Sequence, residues 1–258
     1  MRRNRRFLTI CGIFLVVAVF ALNVFLNSIY RLPILMYHSF NNTSTKDYKV
    51  VVSPEVFEAQ IAYLCKAGYD VISLDKAVWY MEQEKRPPRK TVAITIDDGY
   101  TNNYTAAYPI LKKYNIPVTI FVIVDLIGKE GYMDWGQLKE MSDSGLVDIE
   151  SHTMSHPWLQ YVDDDRLKHE LVDSKKTLEE KLGKDIKFVC YPMGGYDERV
   201  KSAAKEAGYE AAFATKPRKL FPSYDTYEIK RVRISPTANN IFVFKIKISG
   251  YHAFLKTL

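Results

Sequence analysis

Downstream of residue 32, short apolar segments rich in β-branched residues alternate with longer segments in which apolar side chains recur at helical spacing. The pattern predicts strands at 33–37, 70–73, 91–96, 117–123, 147–151, 186–190, 210–214 and 229–234, and helices near 54–67, 74–84, 103–114, 135–144, 163–182 and 197–207. Strands that alternate with helices form a mainly parallel sheet, since each helix returns the chain to the edge where the next strand begins. Seven or eight such strands in one domain favour a closed, TIM-like α/β barrel over an open, doubly wound sheet.

The positive charge of the chain is confined to its first residues. The formal net charge is +6, but before Lys46 the only charged residues are Arg2, Arg3, Arg5, Arg6 and Arg31. Without those five, 31 basic residues stand against 30 acidic ones, a net charge of +1. A nucleic-acid-binding surface needs its excess charge on the folded part, so we expect no nucleic-acid partner. No GxGxxG or P-loop motif follows a predicted strand, which removes the main support for nucleotide binding.

Residues 7–26 form an apolar stretch without a charged residue, directly after the four arginines of residues 2–6. An α-helix needs about 20 apolar residues to cross the hydrocarbon core of a bilayer. The flanking arginines favour a cytoplasmic N-terminus. We therefore predict a cytoplasmic tip at 1–6, a single transmembrane signal-anchor at 7–27 and an extracytoplasmic domain at 32–258. The alternative is a cleaved signal peptide, but the apolar run exceeds the usual ~7–15 residues and no clear cleavage site follows it.

Ionisable side chains follow three of the predicted strands at the point where each strand ends. His38 follows the first strand, Asp97 and Asp98 follow the third, and His152 follows the strand at 147–151. In a closed parallel barrel the carboxyl ends of the strands meet at one rim, which is where active sites lie. We expect these side chains to converge there. For the two aspartates, an ordinary Asp-Gly turn is the alternative.

His152 and His156 stand four residues apart, a spacing that places two imidazoles on one face of a helical turn. Two imidazoles and a nearby carboxylate can hold one divalent ion and leave a coordination position open, which is typical of a catalytic metal site. Zinc fits this donor set, and Co, Ni, Mn or Fe are also accommodated. Adjacent carboxylates project in different directions from a strand end, so one can bind the metal while the other acts as a base.

The sequence Asp97-Asp98-Gly99, followed by His152-x-x-x-His156, resembles the polysaccharide deacetylase (NodB-homology) family, carbohydrate esterase family 4. The likeness covers residues 32–235. It implies a deformed (β/α)7 barrel that removes the N-acetyl group from N-acetylglucosamine units with the help of one divalent metal ion. It also implies that the general base is Asp97 and that the metal ligands are Asp98, His152 and His156.

The chain departs from the family pattern in two places. Where the family commonly has Arg-x-Pro-Tyr, this chain has Cys190-Tyr191-Pro192-Met193. The backbone amide of Met193 can still contribute to an oxyanion hole, because an amide survives a change of side chain. Cys190 cannot supply the salt bridge that an arginine makes to the base, which leaves the pKa of Asp97 without its usual control. The late Leu-x-His motif is also missing, and on the last strand we expect Arg231 and Arg233 to face solvent or to be paired.

The sequence Leu35-Met36-Tyr37-His38 resembles the N-terminal motif of the poly-β-1,6-N-acetylglucosamine deacetylases within that family. This likeness implies a permuted strand order, in which the early histidine replaces the missing late one. His38 is then expected to protonate the leaving amine as a general acid. The alternative is that His38 only makes a hydrogen bond at the barrel rim.

Trp135 and Trp158 flank the metal motif in the sequence and are candidates for contact with the sugar rings or the acetyl methyl group. Core packing is the alternative for both. The predicted partners are a polysaccharide substrate and the membrane, and no oligomeric state is predicted. The rival functions are deacetylation of peptidoglycan or chitin oligomers, and sugar binding by an inactive domain of the same fold.

Overall fold

The computed structural model describes residues 2–42, 50–215 and 225–255. Its strands are β1 (Ile34–Tyr37), β2 (Ser39–Phe40), β3 (Val51–Val52), β4 (Asp70–Ile72), β5 (Thr91–Asp98), β6 (Val118–Val122), β7 (Val147–Ser151), β8 (Phe188–Cys190), β9 (Ala211–Ala214), β10 (Ile229–Lys230) and β11 (Val232–Arg233). Its α-helices are α1 (Arg2–Ile29), α2 (Pro54–Lys66), α3 (Leu74–Glu82), α4 (Tyr108–Tyr114), α5 (Trp135–Asp143), α6 (Asp164–Lys168), α7 (Ser174–Leu182), α8 (Glu198–Glu206), α9 (Ile241–Lys247) and α10 (His252–Leu255).

Eight strands of the described chain form one path in the order β10-β9-β8-β7-β6-β5-β1-β11, and β4 pairs with the first residues of β5. All the pairings along this path are parallel. The sequence therefore correctly predicted an α/β barrel. The last strand of the chain, β11, lies beside the first one, β1. A separate parallel pair, β2 and β3, follows the end of β1.

A single residue joins the two ends of the path. β10 pairs with β9, β11 pairs with β1, and only Arg231 lies between β10 and β11. The N–H of Arg231 donates to the carbonyl of Ala214 at 3.2 Å, and the N–H of Ile234 donates to the carbonyl of Met36 at 2.9 Å. The strand predicted at 229–234 is split because the chain changes neighbours at Arg231. The barrel is thereby nearly closed, with Arg231 buried at the seam.

Alternate residues of β5 face two different hydrophobic layers. Val92, Ile94 and Ile96 belong to the large cluster between the sheet and the surrounding helices, whereas Ala93 belongs to a smaller cluster inside the barrel. The smaller cluster also contains Phe121, Phe188 and Phe213. Since side chains alternate along a strand, Asp97 shares the inner side of the sheet with Ala93. The next residue, Asp98, is the last of the strand and lies at its carboxyl end.

Two helix starts follow the capping signals of the sequence. Ser53 directly precedes Pro54, the residue that opens α2. Its hydroxyl accepts a hydrogen bond from the N–H of Val56 at 3.3 Å. At α5, Asp134 and Gln137 form a capping box in which each side chain accepts from the backbone N–H of the other. The side chain of Asp134 is thus used to cap its helix.

The N-terminal helix α1 stands apart from the barrel core. Residues Cys11–Ile29 have a mean hydropathy of 2.3, and none of that segment is buried. By length and composition this helix can cross a bilayer. Only residues 30–33 connect it to β1, the first strand of the barrel.

Candidate active site

Asp97 lies at the carboxyl end of β5 and forms a two-pronged ion pair with Arg231. Nη1 of Arg231 donates to Oδ1 at 2.6 Å, and Nη2 donates to Oδ2 at 2.7 Å. Nη1 also donates to the hydroxyl of Thr95 at 2.9 Å. Both charged side chains are almost fully buried. Burial alone would raise the pKa of Asp97, but the guanidinium of Arg231 holds it well below its ordinary value.

This ion pair corrects the expectation that Asp97 lacks an arginine. The side chain of Cys190, in the place where the family commonly has arginine, lies beside the same guanidinium: Nη2 of Arg231 is 2.9 Å from Sγ. The positive charge thus comes from the seam of the barrel instead of from the end of β8. The sequence predicted that Arg231 would either face solvent or be paired. It is paired with Asp97 and is buried.

Asp98 lies at the rim, next to the two histidines predicted to share a metal with it. Its Oδ1 is 3.5 Å from Nε2 of His152 and 3.9 Å from Nε2 of His156. The three candidate ligand atoms all lie within 4.8 Å of one another. One carboxylate and two imidazoles at these separations fit the donor set of a divalent metal ion such as zinc.

His152 is held in the orientation that a metal-binding histidine needs. Its Nδ1 lies 2.7 Å from the carbonyl oxygen of Cys190, so this nitrogen carries the proton and donates it. The lone pair of Nε2 is then directed toward Asp98. Burial lowers the pKa of His152 to about 3, which keeps the imidazole neutral. A backbone carbonyl thus fixes the tautomer.

A second group of candidate ligands, Asp97, His152 and Cys190, lies deeper in the barrel. The guanidinium of Arg231 contacts both Asp97 and Cys190. A fixed positive charge in contact with two of the three groups disfavours a cation there. The rim group of Asp98, His152 and His156 is therefore the better metal site.

Asp98 and Asp97 have opposite electrostatic environments. Burial and the neighbouring negative charge of Asp97 raise the pKa of Asp98 to about 7. A hydrogen bond with Tyr100 offsets only part of this effect. A cation beside Asp98 would favour its ionised form, which is the form that binds a metal.

Backbone conformations of high energy are concentrated around this site. Seven described residues other than glycine have a positive φ, and four of them are Asp98, Thr153, His156 and Met193. Such conformations persist only where the surroundings enforce them, and they cluster at functional sites. At His156 the backbone N–H donates to the hydroxyl of Thr153 at 3.1 Å, which stabilises the turn.

The turn that carries His156 is fixed by a buried carboxylate that the sequence analysis missed. Glu170 is completely buried and accepts from the N–H of Ser155 at 2.8 Å and from its hydroxyl at 2.6 Å. Nε of Arg166 donates to the same carboxylate at 2.9 Å. The only signal in the sequence is an Arg-x-x-x-Glu spacing on a helix, which is also common in ordinary surface ion pairs.

His38 lies next to Asp97, on the inner side of the rim. Its Nε2 is 3.9 Å from Oδ2 of Asp97, and its Nδ1 is buried without a hydrogen-bond partner among the described residues. Burial lowers the pKa of His38 to about 4, although the charge of Asp97 acts in the opposite direction. The structure therefore brings His38 close to the candidate base, with a neutral imidazole.

Met193 lies in a tight turn that follows β8. Its φ is 55°, and the next residue, Gly194, also has a positive φ of 68°. A Cβ atom on Gly194 would lie 2.0 Å from the hydroxyl of Thr215. Gly194 and the left-handed Met193 thus allow the backbone to pack closely against Thr215, just after the end of β9.

The two tryptophans have different surroundings. Trp158 follows His156 by two residues, is 39% exposed and packs against the same turn: a Cβ atom on Gly195 would lie 2.7 Å from its ring. Trp135 packs against the hydrophobic core, and the ammonium of Lys181 lies 6.0 Å from its ring centroid. Trp135 therefore packs against the core, which was the alternative to a sugar contact. Trp158 is partly exposed beside the turn that follows β8.

Comparisons with known proteins agree with this geometry. A family model described as polysaccharide deacetylase matches residues 84–212. YxkH of Bacillus subtilis, which is named as a polysaccharide deacetylase, is 37% identical over 206 residues that cover 80% of this chain and 72% of YxkH. A poly-β-1,6-N-acetyl-D-glucosamine N-deacetylase of Staphylococcus aureus is 30% identical over 216 residues, 79% of this chain and 73% of the relative.

A solved structure supports the same assignment. The Streptococcus pyogenes deacetylase PplD superimposes with a TM-score of 0.76 at 28% identity, over 83% of this chain and 96% of PplD. The barrel, the two aspartates at the end of β5 and the paired histidines after β7 are thus accompanied by similarity over most of the chain. The protein belongs to the polysaccharide deacetylase family.

Proposed function

We propose that this protein is a metal-dependent N-deacetylase of poly-β-1,6-N-acetylglucosamine that acts at the outer surface of the cell membrane. The observation that carries the proposal is the convergence at one rim of an ionised Asp97, held by Arg231, and the metal-binding set around Asp98. The family membership supports hydrolysis of an N-acetyl amide bond. The name of the Staphylococcus aureus relative supports the choice of polymer.

Asp98, His152 and His156 would hold one divalent ion, zinc being the ion that best suits two imidazoles and a carboxylate. Co, Ni, Mn or Fe would suit the same donors. The ion would lower the pKa of a water molecule and polarise the acetyl carbonyl group.

Asp97 is the group proposed to accept the proton of the attacking water. Arg231 uses one lone pair on each carboxylate oxygen, which leaves others available as acceptors. Because its pKa is depressed, Asp97 is ionised at neutral pH and is a weak base that depends on position more than on basicity.

His38 is proposed to deliver that proton to the leaving nitrogen. The imidazole is neutral at rest, so it must first receive a proton, and Oδ2 of Asp97 lies 3.9 Å from its Nε2. One proton leaves the water through Asp97, passes to His38 and reaches the amine as the carbon–nitrogen bond breaks. The products are acetate and a free glucosamine unit, and the Streptococcus pyogenes relative is a deacetylase solved with acetate.

The turn at Met193 and the ring of Trp158 complete the proposed site. The backbone amide of Met193 would stabilise the oxyanion of the tetrahedral intermediate. Trp158 offers an exposed apolar face at the rim, and Tyr161, whose ring centroid is 6.2 Å away, is 77% exposed. Exposed aromatic rings that are fixed by packing suit the apolar faces of sugar rings.

The location rests on α1. We propose that residues 7–27 remain as a signal-anchor, that residues 1–6 stay in the cytoplasm and that the domain at 32–258 lies outside. The absence of burial along Cys11–Ile29 supports a helix that contacts lipid. A mature form that begins after residue 27 would instead indicate a cleaved signal peptide.

The test is acetate release by the full chain in detergent. The substrates are poly-β-1,6-N-acetylglucosamine, peptidoglycan and chitin oligomers, each with and without a chelator. We expect the first polymer to be deacetylated fastest, and we expect zinc to restore the activity that the chelator removes. Faster release from one of the other two would reassign the substrate. Binding of the polymers without acetate release would indicate a sugar-binding domain.

A further inference from the structure

The connection between α1 and β1 is too short for the helix and the barrel to lie far apart. Four residues, 30–33, link Ile29 to the first residue of β1. From Ile29 to Ile34 the chain makes five steps, which span at most about 18 Å when fully extended. The amino end of β1 must therefore lie close to the end of the membrane-spanning helix.

The segment that precedes β5 contacts the end of α1 on one side. A guanidinium nitrogen of Arg89 donates to Oδ1 of Asn27 at 3.2 Å, and the hydroxyl of Tyr30 donates to the carbonyl of Pro88 at 3.5 Å. Arg89 and Pro88 lie two and three residues before Thr91, where β5 begins. These contacts also involve the amino end of a barrel strand.

The end of the described chain contacts α1 as well. We call residues 250–255 the clasp. The N–H of Arg31 donates to the carbonyl of Gly250 at 3.0 Å. Tyr30 makes an edge-to-face contact with Tyr251, with ring centroids 5.7 Å apart. Five residues earlier, Phe25 makes the same kind of contact with Phe254, with ring centroids 5.8 Å apart.

Gly250 is the residue that makes this approach possible. Its φ is +81°, and a Cβ atom there would lie 2.2 Å from the ring of Tyr30 and 2.9 Å from the carbonyl oxygen of Arg31. Any other residue would have to displace either the ring or the backbone. The clasp is therefore fitted to the end of α1, and Tyr251 is of a residue type that is enriched at membrane interfaces.

All of these contacts lie at the amino ends of the strands, whereas the candidate active site lies at the carboxyl ends. From Thr91 to Asp98, β5 makes seven steps of about 3.3 Å, and a barrel tilt near 36° reduces the height to about 20 Å. The anchor and the metal-binding residues are thus at opposite ends of the barrel.

We propose that the clasp fixes the barrel on its anchor so that the active-site rim faces away from the bilayer. The enzyme then deacetylates sugars of polymer chains that extend about 20 Å or more beyond the lipid headgroups. It does not reach sugars attached directly to a lipid. This inference rests on the proposed deacetylase activity and on the proposed anchor.

The activity test uses the full chain in vesicles of phosphatidylethanolamine and phosphatidylglycerol. One N-acetylglucosamine oligomer is supplied free, joined to a lipid by a short linker, and joined to a lipid by a long polyethylene glycol linker. We expect similar rates for the free and long-linked oligomers, and a rate lower by about tenfold or more for the short-linked one, since a linker that cannot span the distance gives almost no effective concentration. Equal rates for free and short-linked oligomers would overturn the inference. No turnover of any of them would count against the proposed activity instead.

The orientation can be measured without activity. The chain has three tryptophans, so Trp79→Phe with Trp135→Phe leaves Trp158 as the single tryptophan, which can be excited selectively over tyrosine. Acrylamide should quench this partly exposed ring, whereas a nitroxide on the lipid headgroup should not. Strong quenching by the headgroup nitroxide would overturn the proposed orientation whatever the enzyme's substrate is.

Gly250→Ala tests the clasp itself, with Gly145→Ala as its matched control. Gly145 also has a positive φ, +74°, but a Cβ atom there meets nothing within 4 Å. We expect Gly250→Ala to raise both the relative rate on the short-linked oligomer and the headgroup quenching, with the free-oligomer rate unchanged. Gly145→Ala should change neither. A Gly250→Ala protein with a normal free-oligomer rate and unaltered quenching would refute the role of the clasp, and Tyr251→Ala gives a second test if Gly250→Ala does not fold.

Discussion

Asp97 and Asp98 are adjacent in the chain, yet they lie in two chemically different environments. Asp97 points into the barrel, is almost completely buried and is bonded to Arg231 through both oxygens. Asp98 lies at the rim beside His152 and His156, and among the described residues no lysine or arginine side chain makes a hydrogen bond to it. The pKa of the first is lowered, while that of the second is raised to about 7.

The comparison shows how a strand end can give two identical side chains separate tasks. Asp97 lies in the regular part of the strand and reaches the seam of the barrel, whereas Asp98 ends the strand with a positive φ of 74° and lies at the rim. The inner one keeps its negative charge through a permanent ion pair. The outer one is suited to exchange a proton for a metal ion.

The largest effect is expected from Asp98→Ala. Removing one oxyanion-stabilising donor costs about 10²–10³-fold, and loss of a metal should cost more, so activity should fall by more than about 10³-fold. Metal content, measured by elemental analysis, should fall with it. Asp97→Asn is the contrasting variant: turnover should drop by about 10²–10⁴-fold while the metal stays bound. Equal loss of metal in both variants would contradict the division between the two aspartates.

His38→Ala tests whether His38, which lies next to Asp97, is the general acid that protonates the leaving amine. General acid catalysis is worth about 10²–10⁴-fold, so turnover should fall by that factor with metal content unchanged. His169→Ala is a suitable control, because His169 is an exposed histidine paired with Asp173 on the outer helical segment. Near-normal turnover of His38→Ala with the metal bound would show that another group protonates the amine.

Arg231→Met tests the ion pair through stability and through the pH profile. Breaking one partner of a buried pair costs about 3–5 kcal/mol, which should appear in the free energy of unfolding. Since the folded pKa of Asp97 is depressed, the pair stabilises the protein above the ordinary pKa of aspartate and loses this effect as pH falls through the depressed value.

The same variant should move the acid limb of the rate profile. Without the guanidinium, burial raises the pKa of Asp97, and a base must be ionised to act. Activity at saturating metal should therefore be lost at a higher pH than in the wild type. Arg231→Lys keeps the charge and should shift the limb less. An unchanged limb in Arg231→Met would show that Asp97 is not the base.

Glu170→Gln tests the support of the rim. Glu170 accepts two hydrogen bonds from Ser155, the residue before His156. Substitution of a residue that orients a metal ligand typically lowers metal affinity by about 10–100-fold. We expect that range in a metal-binding titration, with Glu180→Gln as a control on the exposed face of α7. If both variants bind metal as the wild type does, Glu170 has no positioning role.

The smallest effect is expected from Trp158→Ala. Contacts of an aromatic ring beyond simple burial are worth about 0.5–1.5 kcal/mol, which corresponds to a rise in KM of up to about tenfold with kcat little changed. Trp79→Ala is the matched control, because Trp79 on α3 is 37% exposed, close to the 39% of Trp158. The same rise in KM for both variants would argue against a sugar contact at Trp158.

Much of the fold and the rim could be predicted because the signals are local. The period of apolar residues predicts strands and helices, and β7 has the predicted bounds of 147–151. In a parallel barrel, the ends of strands meet whatever the details of packing are. That general rule was enough to predict that Asp98, His152 and His156 lie close together.

What the sequence alone determined is therefore the class of fold, the rim and the residues on it. Only the tertiary structure decided which distant residue meets each of them. Arg231 follows Asp97 by 134 residues, and it arrives there because the barrel closes at that residue. The clasp meets α1 in the same way, through contacts between the two ends of the described chain. Local patterns specify which element forms, but a pairing between distant elements depends on how the whole sheet closes, and no short segment contains that information.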